Sequence, residues 1–184
     1  MGFLDSSDFT LLNKIIKNLY DTEHTLAAKI SNFLDALPAL MSYDRAAILF
    51  FYRGSDGAYM HHSSFNTNWE HIEVPLQNYY NYYFNLDDTI PVFDHPSSII
   101  FRSSDFFNQK HRRETEYWQD YLEPNDCIFS LEGNLSLKNA HGLMGGFCFF
   151  RGIAGNDFSK RDMIITSCLQ SHLSNVLEHY GNNA

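Results

Sequence analysis

Basic residues are scarce in this chain: Lys and Arg number 13 against 22 Asp and Glu, a formal charge of −9 over 184 residues. Nucleic-acid affinity rests largely on clustered Lys and Arg, so the chain by itself is not expected to grip a phosphate backbone. The nearest basic cluster, Lys110-His111-Arg112-Arg113, is followed by Glu114 and Glu116 and reads as a solvated helix start. Cysteine is equally sparse. Cys127, Cys148 and Cys168 are odd in number and lie among apolar neighbours, the pattern of buried small hydrophobes in a reducing compartment. No apolar run reaches the roughly 18 residues a membrane helix needs, and Asp5 and Asp8 stand where a secretory leader would be basic. A cytoplasmic protein that does not enter a membrane is expected.

Constellations for chemistry are also lacking. His61 and His62 are adjacent on an expected strand, where neighbouring side chains point to opposite faces and cannot share a metal ion. The nine histidines contain no His-x-x-x-His, and no two cysteines have ligand spacing, so neither a metal nor a cofactor is expected. Gly142 to Gly146 lies inside a strand, with no helix N-terminus to meet a phosphate. His172 falls on the apolar stripe of a helix, as a hydrogen-bonded core or interface residue does. No catalytic residue is assigned, and the chain is not read as an enzyme.

What the chain has in quantity is aromatic surface, with 16 Phe and 11 Tyr, and a long central hairpin. Phe129, Leu131, Gly133, Leu135 and Leu137 alternate with Ser130, Glu132, Asn134 and Ser136, the period of a strand with one buried face and one facing water or a polar cavity. After a loop over Lys138 to Gly142, residues 143–150 are nearly all apolar, as in a central strand covered on both sides. Gly145 and Gly146 inside it point to something lying close against the sheet.

Around this hairpin, Asp8 is expected to cap a helix with apolar Leu11, Leu12, Ile15, Ile16 and Leu19. A second helix starts at Asp21 or Thr22 and closes at Pro38. Arg45 to Tyr52 and Ala58 to Ser64 form a first hairpin across Gly54 to Gly57. A short helix then carries Tyr79, Tyr80, Tyr82, Tyr83 and Phe84, followed by Asp87, Asp88 and Pro91. A short strand over Ser97 to Phe101 and a helix over His111 to Pro124 come next. Ser159 opens the last helix, whose stripe runs Ile164, Ile165, Cys168, Leu169, His172, Leu173, Val176, Leu177 and Tyr180. Its other face, Gln170, Ser174, Asn175 and Glu178, is expected to be solvated, and Gly181 to cap its end. The order implies an α+β fold, an antiparallel sheet with helices gathered mostly on one face.

The Tyr79-Tyr80…Asp87-Asp88…Pro91 segment, Phe101-Arg102-Ser103-Ser104-Asp105-Phe106, Tyr121-Leu122-Glu123-Pro124, the Gly142 to Arg151 strand and Phe158-Ser159-Lys160-Arg161-Asp162 together resemble the GAF-like regulatory domain at the N-terminus of LuxR-type bacterial transcription regulators. The resemblance spans roughly residues 8 to 180. It implies a GAF/PAS-like sheet with a small-molecule pocket, a homodimer formed through the flanking helices, and DNA contact only through a helix-turn-helix domain beyond this chain. Lactone receptors of that group carry a Trp, a Tyr four residues later and an Asp nine after that; Tyr79 and Asp88 keep the spacing, and Pro75 takes the Trp position. The expected domain is 1–184, with helices over 8–37, sheet and pocket over 45–151 and the last helix over 159–180. Expected ligand contacts are Tyr79, Tyr83, Asp88, Phe101, Phe129 and Phe147. Two other readings remain open: a stand-alone dimeric interaction module, and a small thiol-dependent reductase, which requires an exposed reactive cysteine.

Overall fold

In the computed structural model, which describes residues 4–70, 73–137 and 142–178, a five-stranded antiparallel sheet of order β2-β1-β5-β4-β3 forms the middle layer. Its strands are β1 (Arg45–Arg53), β2 (Tyr59–Thr67), β3 (Ile100–Arg102), β4 (Phe129–Leu135) and β5 (Leu143–Arg151). Helices α1 (Ser6–Leu19), α2 (Leu26–Ala36) and α7 (Lys160–Leu177) cover one face. The other face is covered by the stretch between β2 and β4, with α3 (Leu76–Asn81), α4 (Ile90–Phe93), α5 (Ser103–Phe106), α6 (Gln109–Arg112) and a π-helical turn, Trp118–Leu122. The expected α+β, GAF-like sheet is present, with helices on both of its faces in place of mostly one. The loop over Lys138 to His141 and the expected cap at Gly181 lie outside the described residues.

The central strands are buried on both sides because their alternate residues enter two separate cores. Ala46, Ile48, Phe50, Phe147 and Phe149 pack with the α1, α2 and α7 helices. Ala47, Leu49, Phe51, Cys148 and Phe150 pack beneath the aromatic segment. The strand glycines give the room that their position suggests. A Cβ on Gly146 would lie 2.3 Å from the Phe93 ring, and one on Gly133 would lie 2.5 Å from Phe147 and 2.8 Å from the Ile99 carbonyl. Phe93 therefore seats in a hollow of the sheet and fixes α4 to it. A bulge between Phe50 and Phe51 interrupts the β1–β2 ladder: Phe50 faces Ser63 and Phe51 faces His61, leaving His62 as the extra residue.

Several boundaries move from where the residue pattern puts them. Asp5 caps α1, while Asp8, at the third helical position, closes the capping box and pairs with Arg161 of α7. Thr25, not Asp21 or Thr22, caps α2. The expected strand from Ser97 shortens because Asn134 takes over its backbone: the side-chain oxygen accepts from Ile99 N–H at 2.8 Å and the amide donates to the His95 and Ser97 carbonyls at 2.8 and 2.9 Å. The helix expected over 111–124 becomes α6 and the π turn. There Glu123 N–H reaches the Trp118 carbonyl at 2.9 Å, and the wide turn buries Trp118, Tyr121 and Leu122 together.

The last helix is rotated about its axis from the expected stripe. Ile165, Leu169, Leu173 and Leu177 are buried, but so are Thr166, Gln170 and Ser174, while Ile164 and Cys168 are exposed. Polar side chains enter because the sheet leaves backbone groups for them. The Gln170 amide donates to the Ile99 and Asn134 carbonyls at 3.1 and 2.7 Å, and the Ser174 hydroxyl accepts from Ser136 N–H at 3.1 Å. Cys127 and Cys148 are buried as expected; Cys168 is not.

Candidate functional site

Between the sheet and the aromatic segment lies a narrow cavity of about 20 Å³, partly open to solvent. That is little more than the roughly 10–15 Å³ that holds one water. Its floor is Ala47 and Leu49 from β1 with Cys148 and Phe150 from β5, and its walls and roof include Trp69, Leu76, Tyr79, Tyr80, Asp87, Tyr117 and Tyr121. β1 and β5 pair Ala47 with Cys148, so the floor follows directly from strand register. Tyr79, Tyr117 and Tyr121 converge because α3 and the π turn each present one apolar face to the sheet; Tyr117 and Tyr121 stack with centroids 5.8 Å apart, and Tyr79 lies 5.3 Å from Tyr121.

A buried carboxylate organises these rings. Asp87 accepts hydrogen bonds from the Tyr79 hydroxyl at 2.8 Å, the Tyr117 hydroxyl at 2.9 Å, the Thr89 hydroxyl at 2.7 Å and Thr89 N–H at 2.9 Å. Two donors reach each oxygen, so its acceptor positions are full. The neighbouring Asp88 is directed elsewhere. It takes a two-pronged bond from Arg112 at 2.9 and 3.0 Å, and burial raises its carboxyl above the ordinary range despite that guanidinium. Arg112, expected in a solvated basic cluster, is itself buried and lies 4.8 Å over the Phe107 ring.

On the sheet side, Ser130, Glu132 and Asn134 are buried, not solvated. Glu132 accepts from the Ser130 hydroxyl at 2.5 Å and from the Cys148 thiol at 3.5 Å. Burial raises its pKa to about 7, with Arg112 pulling it down and Asp87 pushing it up. Burial likewise raises the Cys148 thiol well above its ordinary value. The unfolded chain releases the Glu132 proton near pH 4.5 and the folded chain near 7, so this group's contribution to stability falls as pH rises through that window and levels off above it. Between about pH 4 and about pH 8, Glu132→Gln should therefore gain on wild type by on the order of 2–3 kcal/mol. Urea unfolding of both proteins across the window checks this, and parallel pH profiles would defeat it.

Over the outer part of the cavity, Tyr80 stacks on His61 with centroids 4.0 Å apart. Its hydroxyl meets Ser64 Oγ at 2.5 Å and Asn66 Nδ2 at 3.0 Å. The Trp69 indole N–H donates to the Ala46 carbonyl at 3.0 Å. Helix α3 is thus latched to β2, and Trp69 to the sheet.

Of the six expected contacts, the structure brings Tyr79 to the cavity wall. Tyr83 packs outside it against Tyr117 and Tyr121, at 6.4 and 5.1 Å between centroids. Asp88 faces Arg112 in place of the cavity. Phe101 packs against Phe106 with tilted rings, centroids 4.6 Å apart, and Phe129 borders both cores near the end of the sheet. Phe147 lies on the opposite face, among the α1, α2 and α7 contacts, because odd-numbered positions of β5 point there and Cys148 points to the cavity. Sequence reasoning missed Trp69, Tyr117 and Tyr121 as lining residues, and of the two carboxylates after the short helix it took Asp88 as the contact where Asp87 lines the cavity. Alternation on β5 would have selected Cys148 and Phe150 over Phe147; Trp69, alone in an irregular stretch, carries no periodic signal.

No protein-family model and no curated protein matches the chain. Solved structures do match. One is the N-acylhomoserine lactone dependent LuxR-family transcription factor CepR2 of Burkholderia cenocepacia, at 12% identity and TM-score 0.65 over 97% of each chain. Escherichia coli SdiA matches at 12% identity and TM-score 0.64, over 93% of this chain and 68% of its own; SdiA in complex with octanoyl-rac-glycerol matches at 13% and 0.64, over 97% and 69%. The GAF domain of a two-component sensor histidine kinase of Bacillus halodurans matches at 18% and 0.55, over 86% and 97%. The chain has the GAF-like α+β fold that these regulator and sensor domains share.

Proposed function

We propose that this chain is the signal-sensing domain of a LuxR-type transcription regulator, binding a small, mostly apolar molecule between the sheet and the aromatic segment. The observation that carries the reading is the cavity over Ala47, Leu49 and Cys148, walled by aromatic rings whose hydroxyls are ordered by one buried carboxylate. Concave apolar sites with a few fixed polar groups are what small-molecule binding requires, and the neighbours in this fold include a lactone-dependent regulator and a complex with an acylglycerol. A molecule larger than water enters only if the half-buried Trp69, Leu76 and Tyr80 move outward. Ligand binding then favours an open arrangement of α3 over the latched one, and a signal can travel only through that difference in affinity. The same proposal includes a homodimer through α1 and α7 and a helix-turn-helix domain beyond the chain. Phe9, Tyr20 and Ile164, at 54, 47 and 41% exposure, are the large apolar residues left uncovered on or beside those helices.

Octanoyl glycerol and methyl octanoate probes titrated into the protein should change its tryptophan fluorescence and raise its melting temperature. Ala47→Leu, which fills the cavity floor, should abolish both responses while leaving the circular dichroism spectrum unchanged. Equal binding by wild type and variant would place the site elsewhere; no response in either would remove the ligand-sensing reading.

A further inference from the structure

The polar atoms around the cavity differ in one respect: nearly all are already paired. Asp87 is full, the Tyr79 and Tyr117 hydroxyls donate to it, the Cys148 thiol donates to Glu132, and the Trp69 N–H is held by Ala46. The Tyr80 hydroxyl and the Asn66 amide bond each other and Ser64. Among the residues that line the cavity, Tyr121 is the exception: it is 2% exposed, yet its hydroxyl has no hydrogen-bond partner among the described residues. Arg45 Nε, behind Trp69, and His61 Nε2, behind Tyr80, are also buried without a partner among the described residues but lie outside the lining. Cys127, Tyr80, Asp87 and Arg45 lie within the electrostatic reach of Tyr121, and of these Tyr80 and Asp87 line the cavity. No Lys, Arg or His lines the cavity, and Arg112 is committed to Asp88.

We infer that the ligand, on the sensing reading above, is an uncharged apolar molecule whose one polar group is a hydrogen-bond acceptor, a ketone or ester carbonyl, received by the Tyr121 hydroxyl. A carboxylate or phosphate would enter a wall that holds Asp87, with Arg45, outside the lining behind Trp69, as the cation in reach of Tyr121, so its desolvation is met by no direct ion pair. An ammonium would find the Asp87 oxygens already occupied. A secondary amide has two groups to satisfy: the Tyr121 hydroxyl meets its carbonyl, while the acceptors freed by the outward move of Tyr80, the Ser64 and Asn66 oxygens, lie at the outer rim, so an N–H beside Tyr121 is left buried and unpaired. The apolar remainder lies on Ala47, Leu49 and Phe150 beneath Trp69 and Leu76. Tyr121 is on this account the residue that selects ligand by its polar group.

Three probes of matched chain length separate these cases: 2-nonanone, N-methyloctanamide and octanoate, titrated calorimetrically at about pH 8 into wild type and Tyr121→Phe. The expected order in wild type is the ketone first, the amide about ten-fold weaker, and octanoate below detection. Tyr121→Phe should weaken the ketone about ten-fold and should not lower the melting temperature, since that hydroxyl bonds no described protein group. Octanoate or the amide binding as tightly as the ketone overturns the inference, and the wild-type series decides this whatever the variant does. A folded Tyr121→Phe with unchanged ketone affinity overturns it too, leaving ligand sensing intact. If none of the three binds and the octanoyl ester probes also fail, ligand sensing itself falls.

Discussion

Asp87→Ala is expected to destabilise the protein by about 3–4 kcal/mol, because it orphans two buried tyrosine hydroxyls as well as Thr89, and each unpaired buried donor costs roughly 1–3 kcal/mol. Tyr79 and Tyr117 are 6 and 5% exposed, so water cannot readily replace the lost acceptor. The diagnostic is a comparison of backgrounds. In a protein already carrying Tyr79→Phe and Tyr117→Phe, the same Asp87→Ala step should cost about half as much, since the two tyrosine donors are gone and only Thr89 is left unpaired. Equal costs in the two backgrounds, measured by urea unfolding, would show that Asp87 does not organise the rings.

The second large effect is expected at Arg112. Arg112→Met keeps the stem that packs on Phe107 and removes the guanidinium that holds Asp88. Breaking a buried ion pair by removing one partner costs roughly 3–5 kcal/mol because the other charge is left uncompensated. Asp88, 32% exposed at its side chain, retains some contact with water, so about 3 kcal/mol is expected. Removing both charges with Arg112→Met and Asp88→Leu should recover most of that loss. A double variant no more stable than the single would mean that Arg112 acts through its packing or through Glu132 instead of through Asp88.

The strands and the sheet's double covering were legible in the sequence because burial on both faces leaves an unbroken apolar run, as in residues 143–150, and glycines within it require a neighbour. Phe93 turned out to be the neighbour of Gly146. Polar residues were the hard part. Gln170 and Ser174 look solvated by type, and nothing in α7 alone reveals that carbonyls and an N–H around β3 and β4 need partners. Glu132 and Arg112 mislead for the same reason: a charged residue is exposed by default, and only its distant partners make burial tolerable. Asp87 and Asp88 are adjacent carboxylates with opposite surroundings, a difference fixed by Tyr117 and Arg112, some 24 to 30 residues away. Spacing from Tyr79 selects Asp88, whereas Asp87 is the carboxylate that meets the rings.

The bulge at Phe50 and Phe51 bears also on how the protein behaves at high concentration. β2 is an edge strand of nine residues with neither proline nor a Lys or Arg side chain in it, the kind of border along which a second chain can extend a sheet. The extra residue, His62, bends that border in its middle. An incoming strand meets two short runs out of line, Tyr59–His61 and Ser63–Thr67, and cannot pair along the full edge. The opposite border offers only the three residues of β3. The same irregularity that turns His61 under Tyr80 therefore shields the sheet from growing into an aggregate.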